Sequence, residues 1–139
     1  MANLLIERTF KVGDAEVVVS EIPAAQTGDT VSVEADVMAL VIKQVATTLA
    51  SQGMVSGESF RYLRRALGIR AAEVAEILGV RPATVSDWET GKTRLDRAAW
   101  GLLADAVLRG PASLDPLRRR PQPGQTVRVP LTGGGSVAG

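Results

Sequence analysis

At 139 residues, with 45% hydrophobic and 22% charged side chains, the chain can form one domain or two very small ones, and wholesale disorder is excluded. The formal net charge is only +1, so any strongly charged surface must come from how the charges are distributed. Cys and His are both absent. That rules out disulfides, Cys-based zinc sites and the usual general base, so neither an enzyme nor a metal or cofactor is expected.

The start of the chain, Met1 to Arg8, has no basic segment followed by a long apolar run, so no secretory signal is expected. No apolar run of about 18 residues occurs anywhere, so no membrane span is expected and the cytoplasm is the default location. Leu4–Lys11 and Ala15–Glu21 alternate loosely and are rich in Val, Ile and Phe. With Gly13-Asp14 between them they predict a small β-hairpin. Residues 22–30, with Pro23, Gly28 and Asp29, read as a loop.

Ser32 is placed to cap a long helix reaching Ser51, with Glu34 and Asp36 near its positive end. Met38, Val41, Ile42, Val45 and Leu49 form one apolar stripe, which Val37, Leu40 and Ala46 widen. A surface this wide calls for either the small sheet or a second subunit to cover it. Gly53 ends the helix. A helical block follows from Gly57 to Leu108. After Gly110-Pro111 the chain turns rich in Pro, Gly and Arg, including Arg118-Arg119-Arg120, and reads as a tail without a core. Within it, Thr126–Leu131 could pair as an edge strand. The division is therefore 1–55, a β/α dimerisation or partner-binding region; 56–109, a helical domain; and 110–139, a tail.

Charge follows the same division. Residues 1–57 hold three cationic and seven acidic side chains, residues 58–109 nine and seven, and residues 110–139 four and one. A polyanion would therefore meet the back half.

The most informative stretch is Leu67–Gly91, LGIRAAEVAEILGVRPATVSDWETG. Val74, Ile77 and Leu78 form one face of a short helix, and Ala75 is small enough for another helix to cross closely. Gly79 stops that helix, and Val80 turns inward. Pro82 suits a first helical position, where a missing N–H costs nothing. Val85 and Trp88 bury one face of the second helix and leave Ala83, Thr84, Ser86 and Asp87 outward. Two short helices at a sharp turn, the second with a small polar face, suit entry into the major groove.

This stretch resembles the Cro/repressor-type (XRE) helix-turn-helix family. Ser56–Arg64 and Asp96–Ala99 extend the resemblance towards MqsA-type antitoxins. It implies an α+β chain, with a small N-terminal β-hairpin and long helix followed by an all-α, five-helix-type, lambda-repressor-like domain. Members of that branch commonly carry zinc-binding Cys-x-x-Cys pairs. Here Ala24 and Thr27 stand where such a pair would be, so apolar packing must replace the metal. Arg70-Ala71 replaces the usual Ser/Thr-Gln, which removes a helix cap, and Arg70 could supply a phosphate contact by charge instead.

The resemblance implies double-stranded DNA as partner and a dimeric repressor as the form that binds it. It also leaves open a toxin bound by the N-terminal half. Arg81, Ala83, Thr84, Ser86 and Asp87 would face the bases. Arg81 could read a guanine edge or clamp a phosphate. Asp87 could accept from cytosine N4 or repel the backbone. Lys92, Arg94 and Arg97 would approach phosphates, and their alternative is an ordinary solvated patch. Trp88 is expected in the core, and Glu89 paired with an arginine. Arg61, Arg64 and Arg65 are expected outward. Trp100 lies off the core stripe and could serve a partner or extend the core. The competing reading is a protein-interaction module built on the same scaffold.

Overall fold

The structure is a computed structural model and describes residues 2–118. It opens with an antiparallel sheet of three strands in the order β1-β2-β3, namely Ala2–Val12, Ala15–Thr27 and Thr30–Ser32. The expected two-stranded hairpin is therefore one strand short. The residues read as a loop instead continue β2 and turn back through Gly28-Asp29, which repeats the Gly13-Asp14 chemistry of the first turn.

Two features hid this from the periodicity. First, the pairing shifts between Ile6–Ile22 and Arg8–Val19, so Ser20 and Glu21 lie together opposite Glu7 as a β-bulge. Glu21 sits there at φ 58°, an uncommon conformation for a residue with a side chain. The extra residue moves the inward positions of β2 from Ala15, Val17 and Val19 to Ile22 and Ala24, which breaks strict alternation. Second, Pro23 looks like a strand breaker. However, β3 pairs only with Ala25–Thr27, so one side of β2 is open at Pro23 and the missing N–H can face it.

The helix α1 spans Ala35–Ser51. Ser32 does not cap it, because Ser32 is held in the ladder opposite Ala25. Glu34 occupies the cap position without a side-chain cap bond, and the Val37 N–H donates to Asp36 Oδ1 at 2.9 Å. The buried face of α1 is Val41, Val45, Ala46, Leu49 and Ala50; Ile42 and Leu40, placed in the apolar surface from the sequence, are exposed. α1 lies between the sheet and the helical block. One core runs from Val12 and Val17 through Val45 and Leu49 to Phe60, Leu63, Val74, Val85 and Leu103.

The helical block comprises α2 (Gly57–Ala66), α3 (Ala71–Leu78), α4 (Pro82–Thr90) and α5 (Arg97–Arg109). Ser56 caps α2, its Oγ accepting from the Ser59 N–H at 3.0 Å, and Asp96 caps α5, accepting from the Ala99 N–H at 3.3 Å. A 3-10 turn, Pro111–Leu114, and a one-turn helix α6, Asp115–Arg118, follow. Residues 111–118 are therefore helical rather than tail-like. Leu114 is fully buried in the core, because Gly110 at φ 110° turns the chain back over the bundle. Thr126–Leu131, read as an edge strand, lies outside the described residues. Among the described residues no helix is long and apolar enough to cross a membrane.

Candidate nucleic-acid interface

α3 ends at Gly79, which adopts the left-handed conformation (φ 70°, ψ 31°). The Val80 N–H then bonds back to the Ala75 carbonyl at 2.9 Å. These bonds set the turn into α4. Pro82 is its first residue, and the Arg81 carbonyl accepts from the Thr84 N–H at 2.9 Å. Val85 and Trp88 anchor α4 from beneath. Val85 is fully buried, and Trp88 packs edge-to-face on Phe60 with ring centroids 5.9 Å apart. With that face fixed inward, Ala83 and Ser86 are exposed and Thr84 and Asp87 half-buried on the opposite side.

The far end of α4 is tied down electrostatically. Glu89 is buried and takes a two-pronged bond from Arg64 of α2, Nε to Oε2 at 2.7 Å and Nη2 to Oε1 at 3.0 Å. Arg64 also donates to the Ile69 carbonyl at 3.0 Å, so one guanidinium joins α2, the α2–α3 loop and α4. The carboxylate holds the Arg64 pKa above its ordinary value despite the opposing effect of burial. Glu89 thus pairs as expected, but Arg64 corrects the expectation that it faces outward: its side chain is only 12% exposed.

Gly57 is a second anchor that sequence reading passed over. A Cβ there would run into the Trp88 carbonyl oxygen, so only glycine lets the start of α2 approach the end of α4 this closely. A lone glycine at a helix start carries no signal of such an approach.

The nine residues singled out from the sequence fall into three groups. Arg81, Ala83, Thr84, Ser86 and Asp87 are brought together on the outward side of α4. Thr90 continues that stripe at helical spacing from Ala83 and Ser86 and was overlooked; its hydroxyl donates to the Ser86 carbonyl at 3.0 Å. Lys92, Arg94 and Arg97 are exposed just beyond α4, where the Thr93 N–H pins the loop to the Asp87 carbonyl at 3.2 Å. Arg94 and Arg97 line a groove of about 720 Å³ with Trp88, Trp100 and Gly57. Trp100 is buried in the core cluster as well, so it extends the core and forms a groove wall. Arg70 stands apart at the start of α3, about 12 Å of helix away from the turn into α4. It is exposed, and its Nε lies 3.3 Å from Glu73 Oε1. Glu73 also accepts the Arg70 backbone N–H at 3.2 Å, which supplies half of the missing cap.

A short helix held by its buried face, an outward side of small polar residues, and a cationic rim beyond it together define a helix-turn-helix unit. Residues 60–107, about a third of the chain, match the helix-turn-helix family of XRE type, a family of DNA-binding transcription regulators. No curated protein and no solved structure matches the chain.

Proposed function

We propose that this protein is a sequence-specific regulator of transcription that binds double-stranded DNA through α4 and acts as a dimeric repressor. The observation that carries the reading is the outward side of α4, where Arg81, Ala83, Thr84 and Ser86 leave a low, polar surface able to reach base edges. Lys92, Arg94 and Arg97 supply phosphate contacts at one end, and Arg70 supplies one from the start of α3. One reader helix contacts too few bases to select a site, so two copies on paired half-sites give the required selectivity. The reading assigns the chain no catalysis. Its narrower form is an antitoxin of the MqsA-type branch without zinc, which requires a toxin held by the N-terminal half.

Asp87 favours a second reading, a protein-interaction module, because a carboxylate on the reading face repels phosphate as readily as it accepts from cytosine. Titration of labelled duplex from upstream of the protein's own coding region, at several salt concentrations, separates the two. DNA binding predicts a steep fall in affinity with salt and a preference for that duplex over a scrambled one. It also predicts that alanine at Lys92, Arg94 or Arg97 lowers the log–log salt slope by about one each, with the preference unchanged. Equal, salt-insensitive binding of both duplexes would leave the interaction module as the answer.

A further inference from the structure

The C-terminal half of α1 is sunk into the core through Val45, Ala46, Leu49 and Ala50, whereas in its N-terminal half only Val41 is buried. There Asp36, Ala39, Leu40 and Lys43 are all exposed, and Leu40, at 67%, is the most exposed large hydrophobic residue among those described. At helical spacing these four residues share a stripe about 100° wide. Asp36 and Lys43 are the only charged residues within α1, and they lie two turns apart, too far to pair with each other. Neither has an ion-pair partner among the described residues; Asp36 is bonded only to the neighbouring Val37 N–H. Beside the stripe runs a groove of about 420 Å³ between α1 and α5, lined among others by Ala39, Ile42, Lys43, Ala46, Val107 and Arg109.

The stripe is complementary to itself. We propose that it is a self-association surface, on which α1 of one copy packs antiparallel against α1 of a second about a two-fold axis between Ala39 and Leu40. Residues equidistant from the axis then face each other. Near the centre of the stripe Asp36 lies opposite the partner's Lys43 and Lys43 opposite the partner's Asp36, while on one flank the exposed Leu40 meets the partner's Leu40 across the axis. On the other flank the small Ala39 meets the partner's Ala39 and lets the two helices come close. A different protein would have to supply this reversed pattern of charge independently, whereas a second copy supplies it by symmetry. The inference rests on the two-copy reading proposed above and assigns the surface that makes it.

The test uses the full chain without DNA, with mass measured by light scattering at roughly tens of micromolar. Wild type is expected at twice the 14.6 kDa chain mass. Leu40→Glu is expected at the single-chain mass with an unchanged far-UV spectrum, since Leu40 supports nothing within its own copy. Asp36→Lys and Lys43→Asp each set like charges against each other twice and are expected to raise the dimer dissociation constant about tenfold. The double variant Asp36→Lys/Lys43→Asp restores both pairs and is expected to return to within about threefold of wild type. If Leu40→Glu loses its fold, the charge series decides alone. A double variant no tighter than the singles overturns the proposal, as does a dimer that Leu40→Glu leaves intact, and in both cases the two-copy reading stands. A monomeric wild type overturns both.

Discussion

Residues 2–55 expose Leu5, Val18, Val31, Leu40, Ile42 and Val55, whereas in the helical block, Gly57–Arg109, the one large hydrophobic side chain exposed is Leu108. The helical block closes its core on Phe60, Leu63, Val74, Val85 and Leu103 and turns small polar and cationic residues outward. The sheet and the first half of α1 have only one layer of cover, so one side of each apolar element stays in water. Apolar side chains left uncovered are available for contact with another protein. A polar helix side with a cationic rim marks a place where protein meets a polyanion. On the proposed function, the two kinds of contact fall to different parts of one chain.

The comparison breaks most visibly in the core. Trp88→Ala should cost about 3–5 kcal/mol in denaturant unfolding, because it removes the ring that packs on Phe60 and holds α4 down. Leu5→Ala, at a side chain 64% exposed, should change the same measurement by no more than about 0.5 kcal/mol. Comparable losses at the two positions would show that the regions do not differ in packing as described.

Glu89→Ala leaves the Arg64 guanidinium without its carboxylate in a site where it is only 12% exposed. A loss of about 3 kcal/mol is expected from the same unfolding experiment. Specific DNA affinity should fall beyond what the unfolded fraction explains, since the pair ties the end of α4 to α2. Retention of wild-type stability would mean that the pair is dispensable.

A smaller effect sharpens the assignment of the reading side. Arg81→Ala and Thr84→Ala should each lower discrimination between the preferred and a scrambled duplex by about 1–3 kcal/mol, with less change in non-specific affinity. Equal losses on both duplexes would reassign these residues to backbone contacts.

The smallest expected effect concerns Tyr62, the one tyrosine of the chain. Burial raises its pKa above the ordinary value of 10.0. Because the folded pKa lies above the unfolded one, the associated stability is fully present below pH 10.0 and is lost as pH rises through the folded value. Spectrophotometric titration of the phenol should show a folded midpoint above that of the unfolded chain, and coincident midpoints would contradict its burial.

Local chemistry made the helix-turn-helix legible from the amino-acid sequence. Gly79 and Pro82 fix the turn with their own backbone preferences, and Val85 and Trp88, three apart, fix which side of α4 faces inward. The same spacing places Arg81, Ala83, Thr84, Ser86 and Asp87 together without reference to any tertiary contact. Other features depend on residues distant in sequence. The bulge at Ser20-Glu21 is defined only by the register against β1, so the continuation of β2 through Pro23 could not be read from alternation. Ser32 is a competent cap by composition, but a strand claims it first. Arg64 looks like a surface charge until Glu89, 25 residues away, closes on it. Gly57 is required only because the Trp88 carbonyl stands over it. The width of the apolar surface on α1 was visible from spacing alone. Which part of it stays uncovered was decided by where the sheet and α5 end, because burial depends on neighbours and not on a residue's own hydrophobicity.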